Sequence, residues 1–215
     1  DERNGLLTIA GNKAFKQGKN WQDHLRQWRG VEDPTSRLTR KDFEGKALND
    51  ISAVKVGKDK ILSSEHDYNK ENKEKYVNLF LKEFGLKIGK TKTFEDATGT
   101  NVIISDELFI DRREKYNKNY KIFKEGRESY LLLFADTIKK PHEIWELNLT
   151  DSEGNIKRIC RRYFAVYEYQ GEKINCYVAF DKIDGKWKGT TAFQYKEMAG
   201  YNQQRIGKLV YKNKN

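Results

Sequence analysis

The run from Arg127 to Tyr211 constrains this chain most, because it sets one helix directly before a series of strands. The helix (RESYLLLFADTIKKP) ends at a short HEIW knot. A strand rich in arginine and tyrosine follows (IKRICRRYFAVYEY), then KINCYVAF and KGTTAFQY, and a basic, glutamine-rich tail (YNQQRIGKLVYK) closes the run. Successive strands of this kind pair as an antiparallel meander, and strand twist curls such a sheet over whatever packs on its buried face. Tyr130, Leu131, Phe134 and Ile138 form the apolar stripe of a helix at about 122–139. Pro141 ends it, since proline disfavours helical geometry in the residue before it. The expected class is α+β: a helix packed on a curved antiparallel sheet, behind a mainly helical N-terminal region. The expected division is residues 1–87 as a support region and 88–215 as the α+β domain.

Ahead of that run the signals are sparser. Trp21, Leu25 and Trp28 recur on one stripe of a short predicted helix stopped by Gly30. A second helix is expected over 64–84, with Ser64, Glu65 and Asp67 at its start. Its apolar face holds Tyr76, Val77, Phe80, Leu81 and Phe84, and Gly85 supplies the left-handed stop. Residues 90–105 read as a hairpin turning at Gly99, after which Ser105 and Asp106 cap ELFIDRR. His24 and His66 read as ordinary surface or packing residues.

Charge narrows the partners. The chain of 215 residues has a net charge of +10. Residues 1–114 carry 22 Lys+Arg against 20 Asp+Glu, whereas residues 115–215 carry 20 against 12, so +8 of the excess falls in the strand-rich half. A basic surface attracts phosphate backbones through its long-range field and through counterion release. Aromatic residues at 13% argue against disorder, which is poor in them. Cys160 and Cys176 fall inside strands with no metal-ligand spacing, and read as buried free thiols. No run approaches the roughly 20 apolar residues that span a bilayer, and no signal peptide is visible. The expectation is a cytoplasmic protein that needs no membrane. The start at Asp1, without methionine, suits an excised piece of a longer chain.

Several motifs are rejected. Gly85-Leu-Lys-Ile-Gly89-Lys90-Thr91 has three residues between its glycines where a phosphate loop has four, and it follows a helix instead of a strand. Asn148-Leu149-Thr150 fits a glycosylation sequon with nothing to indicate secretion. No HExxH, DxDxDG, CxxC or GxSxG occurs, so neither metal nor cofactor is expected.

Period two divides the strand Ile156–Tyr169 into a face with Cys160, Arg162, Phe164 and Val166 and a face with Arg161, Tyr163, Ala165, Tyr167 and Tyr169. Ile174, Cys176, Val178 and Phe180 of the next strand must be inside, and the natural expectation pairs them with Phe164 and Val166. That puts Arg161, Tyr163, Tyr167 and Tyr177 on the open face, where guanidinium suits phosphate and rings suit bases. Arg127, Arg158, Gln203 and Lys208 extend this candidate nucleic-acid surface.

Metal-free RNA cleavage needs a base for the ribose 2′-hydroxyl, an acid for the leaving oxygen and donors for the charged phosphorane. His142 and Glu143, at the helix–strand junction, are candidates for proton transfer. Arg161 or Arg162 and the Thr190–Thr191 pair are candidate donors to phosphate oxygens, and Arg205 could close over the substrate.

The same residues resemble a known family. Arg127-Glu-Ser-Tyr130, Leu133-Phe-Ala135-Asp136-Thr137, Pro141-His-Glu143-Ile144-Trp145, Arg162-Tyr163, Thr191-Ala192-Phe193 and Arg205-Ile-Gly207-Lys-Leu209-Val-Tyr211, together with Asn101–Phe109, are similar to the phage-associated branch of barnase/EndoU/colicin/RelE-like nucleases. Those domains resemble the C-terminal parts of phage Mu-type head-morphogenesis proteins and some polymorphic toxins. The resemblance covers about residues 88–211. It implies a helix on a curved antiparallel sheet, metal-independent ribonuclease activity on RNA, tRNA included, and a site of Glu143, an arginine of the Arg161–Arg162 pair, Thr191 and Arg205. It also implies an immunity protein or phage virion proteins as partners. The competing expectation is a non-catalytic phage structural domain that touches nucleic acid or capsid.

Overall fold

A computed structural model describes residues 51–64, 69–110, 120–150 and 153–213. Of the region expected to be mainly helical, residues 1–50, with the stripe at Trp21, Leu25 and Trp28, lie outside the described residues, as does His66. The described part of it holds the strand β1 (Val54–Lys55), a 3-10 turn (Lys58–Lys60) and the helix α1 (Lys70–Lys82). There follow β2 (Lys92–Glu95), β3 (Asn101–Ile104), a 3-10 turn (Asp106–Phe109), a 3-10 segment (Lys124–Tyr130) and α2 (Leu131–Lys139). Then come β4 (Glu143–Thr150), β5 (Ile156–Tyr169), β6 (Glu172–Ile183), β7 (Lys186–Tyr195), α3 (Met198–Gln203) and β8 (Lys208–Lys212).

The strands form one mixed sheet in the order β2-β3-β7-β6-β5-β4-β8. Neighbours are antiparallel except β3 with β7, and β1 adds a short parallel pairing to the end of β5 at Tyr167 and Glu168. The class is α+β, but the sheet is mixed where a purely antiparallel one was expected. Two of its strands replace irregular structure in the sequence reading. The HEIW knot is the start of β4, which alternates Trp145, Leu147 and Leu149 with Ile144, Glu146 and Asn148. The basic tail supplies α3 and the edge strand β8. Gly207 makes that last turn feasible: its φ is +96°, and a Cβ there would lie 2.2 Å from the Glu146 carbonyl oxygen.

One sheet face packs on α1 and α2. Tyr76, Val77, Phe80 and Leu81 of α1 and Leu131, Phe134 and Ile138 of α2 are buried against Ile144, Tyr163, Ala165, Cys176, Val178 and Phe180. α1 is capped by Asn69, an extended residue whose side chain accepts from the Asn72 amide at 2.8 Å, so the helix starts at Lys70; of the expected start, residues 65–68 lie outside the described residues. The long helix expected at 122–139 is helical in the α sense only from Leu131; its first part is the 3-10 segment. The opposite face carries Trp145, Phe164, Val166, Tyr177 and Ala179 beneath Tyr201 of α3 and Leu209 of β8.

The register overturns the expected assignment of faces. Tyr163 pairs with Val178, Ala165 with Cys176 and Tyr167 with Ile174, whereas Phe164 pairs with Tyr177 and Arg162 with Ala179. Arg161, Tyr163 and Tyr167 therefore share the helix-covered face with the apolar side of β6. The expectation failed because both faces of this sheet are covered, so the apolar side of one strand did not reveal which side of its neighbour it shares.

Candidate functional site

The face beneath α3 is built in cross-strand rows. Glu143, Phe164, Tyr177 and Phe193 form one row across β4, β5, β6 and β7; Trp145, Arg162, Ala179 and Thr191 form the next; Leu147, Cys160, Asp181 and Lys188 form the third. Glu143, Arg162 and Thr191 thus lie on one face within two rows. α3 and the Gly207 turn bring Arg205 over the same place.

Glu143 is 2% exposed and Arg205 1%, and each is the other's main partner. Arg205 donates from Nε to Glu143 Oε2 at 2.7 Å and from Nη2 to Oε1 at 2.5 Å. The Trp145 indole donates to Oε2 at 2.8 Å, and Arg205 Nη1 donates to Asn202 Oδ1 at 2.9 Å. A forked, two-point arginine–carboxylate pair fixes both planes. Beside it Arg162, 7% exposed, donates from Nη1 to the Gln204 carbonyl at 3.1 Å. Its Nε is buried with no hydrogen-bond partner among the described residues. This guanidinium has donor capacity in reserve, in the row that also holds the partly exposed Thr191.

The other candidates are placed elsewhere. Arg161, next in sequence to Arg162, points to the helix-covered face and is 2% exposed. It donates to Asp96 Oδ2 from Nε at 3.0 Å and from Nη2 at 2.7 Å, to Thr98 Oγ1 at 2.6 Å, and to Glu146. Tyr163 also donates to Asp96 Oδ2, at 2.5 Å. Burial pushes the Asp96 carboxyl up, but the Tyr163 hydroxyl, Thr98 and the Arg161 guanidinium outweigh it and hold the group below its ordinary range. Tyr167 is buried under α2 with its hydroxyl 3.3 Å from Thr137 Oγ1. Neither tyrosine lines an open face, because the strand register turns both into the core.

His142 falls on the opposite side from Glu143 and bridges a gap in the sheet. Its amide donates to the Phe164 carbonyl at 2.8 Å, and its Nδ1 accepts from the Val166 amide at 3.3 Å, where β4 has ended and β1 has not yet begun. Burial pulls the imidazole below its ordinary value, against a smaller upward pull from Glu143. Thr190 sits at the β6–β7 bulge and donates to the Ala179 carbonyl at 3.0 Å. Tyr177 is on the Glu143 face but buried among Phe164, Phe193 and Tyr195. Arg158 is half-exposed at the far end of that face, with Nε 2.8 Å from Asp181 Oδ1. Gln203 ends α3, Lys208 opens β8 on the surface, and Arg127 lays its guanidinium 5.2 Å from the centre of the Phe193 ring.

Sequence reasoning gave no role to Trp145, Asn202 or Phe193, although Trp145 and Phe193 stand in the motifs that carry the family resemblance. The alternation in β4 carried the signal for Trp145; nothing local marks Asn202. Among the described residues no group of three or more His, Cys, Asp or Glu side chains is arranged to hold a metal ion. No helix among them is long and apolar enough to cross a membrane.

A family model described as phage-Barnase-EndoU-ColicinE5/D-RelE like nuclease2 matches residues 79–212, well over half of the chain. The match begins within α1 and ends in β8. No curated protein and no solved structure matches the chain.

Proposed function

Because the chain belongs to the phage-Barnase-EndoU-ColicinE5/D-RelE like nuclease2 family, we propose that it is a metal-independent endoribonuclease whose site is the face bearing Glu143, Arg162, Thr191 and Arg205. The observation that carries this reading is the Arg162 Nε, buried beside the Glu143–Arg205 pair with no hydrogen-bond partner among the described residues. Leaving a buried donor unpaired costs about 1–3 kcal/mol, and more for a charged group. An anion brought by a ligand, such as a phosphate oxygen, would remove that cost.

In this reaction the ribose 2′-oxygen attacks the adjacent phosphorus as the bond to the 5′-oxygen breaks, leaving a cyclic phosphate and a free 5′-hydroxyl. Arg162 and Arg205 donate to the non-bridging oxygens as charge gathers on them. Glu143 accepts the 2′-hydroxyl proton, and water protonates the leaving oxygen. In the free protein both Glu143 oxygens are engaged, so the base is released only when a phosphate draws Arg205 away. That exchange swaps one anion for another in the same guanidinium fork. Thr191 orients the phosphate from the far side of the row. RNA, with tRNA as the first substrate to try, is the proposed partner; the +8 charge of residues 115–215 supports it. An immunity protein or a phage virion protein is the proposed protein partner.

The test is incubation of the purified chain with total tRNA in EDTA, beside Glu143→Ala and Arg162→Ala. Cyclic-phosphate ends should appear with the parent and vanish in both variants. RNA left intact by the parent sinks the reading and favours a non-catalytic role in the virion.

A further inference from the structure

We propose that Phe193, with Arg127 laid over it, forms a subsite for one unpaired nucleobase beside the scissile phosphate, an inference that rests on the nuclease reading of this face. Phe193 lies two residues beyond Thr191 on β7 and opposite Tyr177, on the same side of the sheet as Arg162. Tyr177 is buried, whereas Phe193 is partly exposed. Two residues along a strand span roughly 6.7 Å, within reach from a phosphate to the base of its own nucleotide.

The ring is held before any ligand arrives. Its centre is 5.1 Å from that of Tyr177 and 4.7 Å from that of Tyr195, both tilted against it. A ring already fixed by its neighbours loses little freedom when something stacks on it. Among the described residues β3 pairs with β7 only at Trp187 and Lys188, which leaves the Phe193 end of β7 paired with β6 on one side and without a strand on the other. The Lys124–Tyr130 segment approaches there, and Arg127 reaches over the edge to the ring. A guanidinium is flat, delocalised and able to stack on an aromatic face, so it fills the place a base would take. When a base takes that place, Arg127 is left beside an extra phosphate. The surroundings favour a nucleotide over an aromatic peptide side chain, because the Arg127 and Arg162 guanidinium groups stand here in addition to the Glu143–Arg205 pair. The base must be unpaired, since a duplex hides its faces in the stack.

The experiment measures binding of a short all-deoxy oligonucleotide, which lacks the 2′-hydroxyl and cannot be cleaved by this route, against an abasic sugar-phosphate chain of equal length. The parent should hold the base-bearing chain about tenfold more tightly, within the range of one base stacked on one aromatic ring. Phe193→Leu, which keeps apolar bulk but has no π face, should lose that preference, and Phe193→Tyr should retain it. Arg162→Ala should weaken both ligands alike. Equal affinity of the parent for the two chains overturns the subsite while cleavage of tRNA, measured separately, leaves the nuclease reading standing. If neither chain binds the parent and tRNA stays intact, both fall together.

Discussion

Arg161 and Arg162 are neighbours in sequence and both nearly buried, yet they serve opposite faces of one strand and live in different company. Arg161 is surrounded: Asp96, Thr98, Glu146 and the Tyr163 hydroxyl take up its donors, and Asp96 is in turn fixed by the Thr98 amide and hydroxyl and the Thr100 amide. That cluster ties the turn of the β2–β3 hairpin to β4 and β5, and engages all three nitrogens of the guanidinium. Among the described residues Arg162 has one carbonyl partner and a buried N–H with none, next to an arginine–carboxylate pair that an incoming anion could divide. A buried guanidinium is thus no sign of a site by itself. What distinguishes a structural arginine from a candidate ligand-binding one is whether its donors are spent.

The comparison is broken most sharply at Asp96. Asp96→Ala takes the shared acceptor from Arg161 and the Tyr163 hydroxyl and leaves the buried guanidinium with the partly exposed Glu146 as its carboxylate, and removing one partner of a buried pair costs about 3–5 kcal/mol. Denaturant unfolding should show a loss of that size, while the cleavage rate of the fraction still folded stays near that of the parent. A loss of cleavage with stability unchanged would instead put the Asp96 cluster in the site.

Arg162→Ala should do the reverse. Removing one preorganised donor to a developing anion lowers turnover by roughly 10²–10³. Stability should change little or rise, because an unsatisfied buried donor goes with the side chain. Single-turnover cleavage and a melting curve on the same preparation read both halves of the prediction.

Why the two arginines could not be told apart in the sequence follows from what fixes a face. Strand period is local, so the division of β5 into two sets of residues was legible; so were the α1 stripe, the hairpin turning at Gly99 and the stop at Gly85. Which set faces the helices depends on register with β6 and on layers contributed from elsewhere. Asp96, the partner that makes a buried Arg161 tolerable, is 65 residues away in sequence. β4 and β8 were hidden for a related reason: each is held by pairing with a neighbour. The family resemblance implied Glu143, an arginine of the Arg161–Arg162 pair, Thr191 and Arg205, and it is the register that puts Arg162, and not Arg161, on the face of the other three.

His142 offers a smaller, pH-dependent contrast with Asp96. Its Nδ1 can accept from the Val166 amide only when unprotonated, and burial keeps the folded-state value below the ordinary 6.5. Below about pH 6.5 the unfolded chain therefore takes up a proton that the folded chain refuses. Stability should be complete above that pH, fall as pH drops toward the folded-state value, and level off beneath it. His142→Asn, which offers an acceptor that does not titrate, should flatten this limb in urea unfolding between pH 5 and 7. Asp96 acts in a separate window, because a lowered carboxyl stabilises above its unfolded value near 3.8 and loses that stabilisation as pH falls through the folded one. A stability curve already flat for the parent from pH 5 to 7 would mean that His142 does not clamp β5 in this way.

The finest version of the comparison is the threonine pair. Thr190 spends its hydroxyl on the Ala179 carbonyl at the β6–β7 bulge, whereas Thr191 stands in the row of Arg162 and half-open to solvent. Thr190→Val should lower stability by about 1 kcal/mol, the usual net worth of one hydrogen bond, and leave cleavage alone. Thr191→Val should leave stability within about 0.5 kcal/mol and slow cleavage by roughly tenfold, as loss of one neutral hydrogen bond to a phosphate oxygen would. The two variants have the same shape change one residue apart, so a difference between them cannot come from valine itself. If both slow cleavage equally, the bulge and not the hydroxyl controls the site, and the face that holds Arg162 is set by backbone geometry as much as by its side chains.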